Sequence, residues 1–187
     1  CMANQATSSS AASPRIVNAM SVDVEDYFQV SAFADRVSRE DWDSMDSRVE
    51  RNTDAVLAMF ADHGAKATVF TLGWVADRFP GLVRRIVEQG HELASHGHAH
   101  FRVSDQSPEA FRDDVRRTKQ LLEDTGGVAV TGYRAASFSI GHNTPWAFGI
   151  LAEEGHTYSS SVYPIRHDHY GVPDAPRFTY RPGNDGG

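Results

Sequence analysis

The chain has 187 residues, 40% of them hydrophobic and 23% charged, which suits one globular domain with a sizeable core. A formal net charge of −7 and the lack of a basic run argue against a nucleic-acid partner, and no apolar run approaches the roughly 20 residues that span a bilayer. The single cysteine, Cys1, excludes an intrachain disulfide.

Residues 1–14 are small and polar, without the basic start and apolar stretch of a secretion signal. They read as a disordered leader on a domain at 15–187, and the location expected is cytoplasmic, with the periplasm as the alternative. Arg15 to Val24 is an apolar strand, followed over Tyr27 to Asp46 by a long loop with a helical turn. Ser47 to His63 presents an apolar helical face that stops at Gly64. Ala67 to Leu72 is a second strand, and two short helices at Trp74 to Phe79 and Gly81 to Gln89 flank Pro80. A third strand, Glu92 to Ser95, leads into a histidine cluster.

Pro108 to Glu123 is the most regular helix, opened by Pro108 and closed by Gly126 and Gly127. Val128 to Tyr133 reads as strand four, Thr144 to Glu154 as a helix and Tyr158 to Val162 as strand five. From Pro164 onward the composition is that of a loop. Strand and helix alternate about five times, so the fold class is α/β with parallel strands. Polar clusters follow strands one, three and four, and in such folds functional groups gather at the carboxyl ends of the strands.

Four of the nine histidines fall between His91 and His100. His96 and His100 stand four apart, so one turn can aim both rings at one point. Strand one ends in three carboxylates, Asp23, Glu25 and Asp26. Two imidazoles and one carboxylate are a common three-ligand set that leaves positions open for water or substrate. Clustered carboxylates ionise together only when a positive charge sits among them, and a divalent cation supplies it. Asp23 is the candidate general base. Side-chain alternation puts Asp23 and Glu25 on one face, yet the strand can end before Asp26, so either Glu25 or Asp26 is the carboxylate ligand. Arg134, at the end of strand four, is placed to orient a carboxylate through two parallel hydrogen bonds. Tyr27, Phe138 and Trp146 are candidates for lining a sugar pocket. His167 and His169 are weighed as further ligands or a catalytic acid, against a plain exposed loop.

Together, the segments Ser21 to Phe28, Ala67 to Trp74, Gly90 to His100, Gly132 to Phe138 and Tyr158 to Asp168 resemble the polysaccharide deacetylases of carbohydrate esterase family 4. Within that family they are most similar to the branch associated with exopolysaccharide and exosortase gene clusters. The resemblance implies a distorted (β/α)7 barrel that removes acetyl groups from sugars of a polysaccharide with one divalent metal, zinc first among the candidates. It also implies that His96 and His100 are metal ligands, that Asp23 activates water, and that Arg134 orients Asp23. Two departures accompany it. The branch has an aspartate where this chain has Ser159, and that acid helps to position the arginine. The family also carries a later strand with a histidine acting as general acid, and no histidine here matches it. With five strands read where the barrel has seven, the domain is expected to be truncated at its C-terminal end, weakly active or inactive, and prone to self-association through an open edge. The other readings are a non-catalytic carbohydrate- or metal-binding form of the fold and a hydrolase of C–N bonds in small amides.

Overall fold

The computed structural model describes residues 18–182. The expected leader and the first residues of the expected opening strand, 15–17, lie outside that span. Five strands form one parallel sheet in the order of the chain: β1 (Ser21–Val24), β2 (Thr68–Thr71), β3 (Glu92–Ser95), β4 (Gly132–Tyr133) and β5 (Tyr158–Ser159). The helices are α1 (Val49–Asp62), α2 (Gly73–Arg78), α3 (Pro80–Glu88), α4 (Pro108–Gly126) and α5 (Trp146–Glu153). A parallel sheet laid down in chain order, with the usual right-handed crossovers, keeps its helices on one face. This is an arc of a (β/α) barrel, not a doubly wound sheet, and it agrees with the expected barrel architecture.

The strand pleat separates the two faces. Val22, Val24 and Val69 pack against Leu57 of α1, Val75 of α2 and Leu82 and Ile86 of α3. Leu93 meets Leu122 of α4, and Tyr133 meets Phe111 and Val115 of the same helix. Each large apolar side chain buried in this layer contributes about 1.5–3 kcal/mol of transfer free energy, which is what holds the helices on the sheet. Asp23 pairs in register with Phe70 and alternates with these valines, so both face the inside of the arc.

Four expected strands are shorter in the structure: the first begins only at Ser21, and the second loses a residue at each end. In the fourth, the Val130 N–H donates to the Glu123 carboxylate at 2.9 Å and is lost to the sheet. In the fifth, Ser160 and Ser161 spend hydroxyls and a carbonyl on Arg134 and Ala135. The expected loop with one helical turn at Tyr27 to Asp46 folds into three 3-10 helices, Tyr27–Gln29, Ser31–Phe33 and Arg39–Ser44. Such short turns leave no periodicity in a sequence. They are held by an aromatic cluster in which Phe28, Trp42 and Trp74 lie 5.9–6.1 Å apart.

Asp26 ties this segment to α1. It is 2% exposed, and its Oδ1 accepts from the Tyr27 N–H at 3.0 Å. Its Oδ2 accepts from the Ser47 hydroxyl and from the Arg48 and Val49 N–H groups, at 2.6, 2.8 and 3.1 Å. No residue at the start of α1 caps the helix with its own side chain, so Asp26 satisfies those orphan donors from across the chain. Asp26→Ala strands them in a buried site and should cost on the order of 3 kcal/mol of stability. Urea unfolding measures it, and a loss below about 0.5 kcal/mol would show that water replaces the carboxylate.

His156 is buried beside Tyr133, ring centroids 5.7 Å apart. Burial, then the charge of Lys119, lowers its pKa to about 4. The unfolded chain takes up this proton near 6.5 and the native protein only near 4, so stability is full above pH 6.5 and falls as the pH drops. This residue should remove about 2 kcal/mol between pH 7.5 and pH 5. His156→Leu should flatten that part of the pH profile of unfolding; an unchanged slope would exclude His156 as its source.

Candidate metal centre

The carboxyl ends of β1, β3 and β4 bring the candidate residues together. Val22 and Val24 face the helices, so the pleat carries Asp23 and then Glu25 inward and turns Asp26 back toward α1. Glu25, not Asp26, meets the histidines. Its Oε2 lies 3.0 Å from His100 Nε2 and 4.0 Å from His96 Nε2. One donor atom from each of Glu25, His96 and His100 falls within 4.8 Å of the others, the one such group among the described residues. Asp26 is thus corrected from candidate ligand to helix cap, because both its oxygens are already used by backbone and hydroxyl donors.

The remaining histidines of the cluster go elsewhere. His91 is buried beside Phe60 and accepts from the Ala67 N–H at 3.2 Å, while His98 turns to Asp77 at 3.1 Å. The loop that returns His100 to His96 is tightly packed. Gly97 has φ 74°, which favours glycine, and the carbonyls of Gly97 and His98 accept from the Gly73 and Trp74 N–H groups. A Cβ on Gly73 would stand 2.5 Å from the His98 ring. The His98 N–H donates to the carboxylate of Asp114 on α4, at 3.2 and 3.3 Å.

The donor set suits a divalent cation. His96 Nδ1 donates to the Arg134 carbonyl at 2.8 Å, which leaves Nε2 with its lone pair toward Glu25. Burial lowers the pKa of His96, and burial together with the charges of His96 and Arg39 lowers that of His100 to about 3, so both rings are neutral near pH 7. Glu25 is raised to about 7 by burial and by the charge of Asp23, and its Oε2 is buried without a hydrogen-bond partner. A cation relieves both effects.

Arg134 organises the other half of the site. It is 9% exposed, and its Nη1 donates to Asp23 Oδ1 at 2.6 Å. The expected two parallel bonds to a carboxylate do not form. Nη2 instead donates to the hydroxyls of Ser21 and Ser160, and Nε to the Ser160 carbonyl. Its guanidinium also lies over Phe70, 4.0 Å from the ring centroid. Ser21, Ser160 and Asp114 carry no signal in the sequence, since a lone serine or a helical aspartate has many ordinary uses.

Of the candidate sugar contacts, Phe138 lies near the site, its ring 5.5 Å from the Arg134 guanidinium. Trp146 does not; it packs on Phe111 against the α4–α5 core, because the first turn of α5 faces that layer. Tyr27 is exposed, edge-on to Phe28 with the Arg48 guanidinium over it. His167 stacks on Tyr170 at 4.1 Å, and neither it nor His169 joins the metal-ligand group.

The family model for polysaccharide deacetylase matches residues 41–157, which include His96, His100 and Arg134. A peptidoglycan-N-acetylglucosamine deacetylase of Bacillus cereus is 31% identical over 77 residues, 41% of this chain and 28% of that protein. A chitooligosaccharide deacetylase of a Bradyrhizobium strain is 29% identical over 133 residues, 71% of this chain and 55% of that one. Among solved structures, one from Mycobacterium smegmatis assigned as a polysaccharide deacetylase is 28% identical with a TM-score of 0.60, over 78% of this chain and 50% of that one. A family 4 carbohydrate esterase pseudoenzyme of Bacillus anthracis, 16% identical with a TM-score of 0.57 over 75% of this chain and 41% of that one, shares the fold. The chain thus spans about half or less of the proteins it matches. With a family model covering most of its length, the chain belongs to the polysaccharide deacetylase family.

Proposed function

We propose that this site hydrolyses the acetamide of N-acetylated sugars in a polysaccharide, with zinc held by Glu25, His96 and His100. The observation that carries the reading is the convergence of those three buried donors beside Asp23, an acid fixed by a buried arginine. The relatives named as peptidoglycan and chitooligosaccharide deacetylases support the substrate class. An exopolysaccharide as the polymer is part of the same proposal, on the resemblance of the motifs alone.

When bound, a divalent cation supplies Lewis acidity toward a carbonyl oxygen and toward water. Arg134 occupies Asp23 Oδ1 and leaves Oδ2 to accept the proton of the attacking water. Water adds to the acetamide carbonyl as its proton passes to Asp23, the C–N bond breaks as that proton moves on to the leaving nitrogen, and acetate and the amino sugar depart. Phe138, beside Arg134, offers a ring face to the sugar.

A second reading, binding without turnover, is favoured by one observation. Among the described residues no further histidine joins Asp23 and Arg134 in their hydrogen-bond network, so a separate acid for the leaving amine is not in place. A missing positioned acid costs on the order of a hundred- to ten-thousand-fold in rate. The fold itself does not decide between the readings, because function lives in the site.

Elemental analysis of the purified chain should give one divalent metal, lost in the double variant His96→Ala, His100→Ala. Retention of one metal per chain in that variant would remove the site from consideration. Asp23→Asn should keep the metal while lowering acetate release from a chitin oligomer at least a hundredfold. Loss of metal in Asp23→Asn would make Asp23 a ligand and not the base. Stoichiometric metal with no acetate release by the unaltered chain would establish the second reading. Ring opening of a small cyclic amide in place of acetate release would instead point to the small-amide hydrolase.

A further inference from the structure

The His96–His100 loop has four successive carbonyls to satisfy, and α2 reaches two of them, on Gly97 and His98. The other two are met by one side chain from a distant segment. Arg39, at the start of the 3-10 helix Arg39–Ser44, donates from Nε to the Ala99 carbonyl at 2.8 Å and from Nη2 to the His100 carbonyl at 3.1 Å. Its guanidinium lies 3.9 Å from the Phe101 ring centroid and 5.7 Å from that of Trp42, a stacked arrangement that fixes the plane of the fork.

The residue so held is under conformational strain. His100 has φ 51°, in the left-handed region that residues with a Cβ seldom adopt. That conformation turns its ring inward to Glu25 Oε2. Strained backbone of this kind persists only where the surroundings over-determine it. The Arg39 fork spans the peptide that leads into His100, and this is the contact that can hold it.

We propose that Arg39 is a positioning residue for the metal centre: by bridging the Ala99 and His100 carbonyls it holds His100 in the left-handed conformation that aims its imidazole at the metal. This rests on Glu25, His96 and His100 being the ligand set. A competing effect has the opposite sign, because the guanidinium charge repels a cation. Partners that orient metal ligands are typically worth 10- to 100-fold in affinity. The Arg39 charge is spread over a fork already bound to two carbonyls and lies open to solvent, so positioning outweighs repulsion.

The test is the affinity of the intact chain for Zn2+, measured by competition with a chromophoric chelator, together with the visible spectrum of the Co2+-loaded protein. Arg39→Met keeps an unbranched stem to pack on Phe101 and removes both donors. It should weaken Zn2+ binding roughly 10- to 100-fold and alter the Co2+ bands as His100 disengages. Arg39→Lys, able to reach one carbonyl, should fall between, and it carries the test should Arg39→Met fail to fold. The control is Arg78→Met. Arg78 anchors the far end of the same 3-10 helix through Asp43 and touches nothing in the histidine loop, so its loss should leave affinity and spectrum near those of the parent. Equal or tighter Zn2+ binding by both Arg39 variants overturns the proposal, as does an equal loss in Arg78→Met. A parent chain that takes up no Zn2+ overturns the metal reading itself, whereas a parent that binds and an Arg39 variant that binds as well sinks only the clamp.

Discussion

A guanidinium taken out of water must have its charge and its N–H groups answered within the protein, and Arg134 is answered from three strands. It leaves the end of β4, crosses the inner face of the sheet over Phe70, and ends on Asp23 of β1. Ser21 and Ser160 take its remaining donors. Its own carbonyl holds His96 Nδ1, so a single residue fixes the direction of Asp23 and the tautomer of His96. Replacing its side chain would leave the Asp23 carboxylate without its ion pair. The barrel curvature is what lets an arginine three strands away reach Asp23.

The departures from the family pattern read differently once this network is in view. An aspartate at 159 would offer the arginine a second charge. Here the arginine takes a hydroxyl and a carbonyl from Ser160 and a hydroxyl from Ser21. Neutral acceptors satisfy its geometry while leaving its charge to Asp23 alone. At the carboxyl end of β1, Glu25 is the acid that meets the histidines, where the resemblance implies two adjacent aspartates. The extra residue between the acids matches the period of a strand, so both remain on the inner face. The spare acid, Asp26, falls on the outer face and is spent on α1.

The centre is built on strained backbone. His100, Ser137 and Phe138 all have φ between 49° and 52°, and the latter two lie in the 3-10 turn Ala136–Phe138 that comes after Arg134. Left-handed conformations at residues with a Cβ cost of order 1–3 kcal/mol each and gather where function needs a direction that regular structure cannot supply. At His100 that direction is toward Glu25. At Phe138 it brings the ring back beside Arg134 and onto Tyr163 and Tyr170.

Most of the fold was legible in the residues because its determinants are local. Apolar periodicity located all five helices and all five strands, glycine and proline marked their ends, and four-residue spacing singled out His96 and His100 from a crowded histidine run. The 3-10 helices between Phe28 and Trp42 were not legible, since turns of three residues bury no stripe and are held by aromatic contacts remote in the chain. Nor was the choice between Glu25 and Asp26, which depends on where the pleat of β1 gives way to a cap. The sequence by itself determined the parallel α/β order, the two histidines and the presence of strand-end acids, because each rests on spacing along one segment. Only the tertiary structure decided which acid joins the histidines, which serines complete Arg134, and that Arg39 holds the histidine loop, because those bonds close between segments from about 20 to more than 100 residues apart.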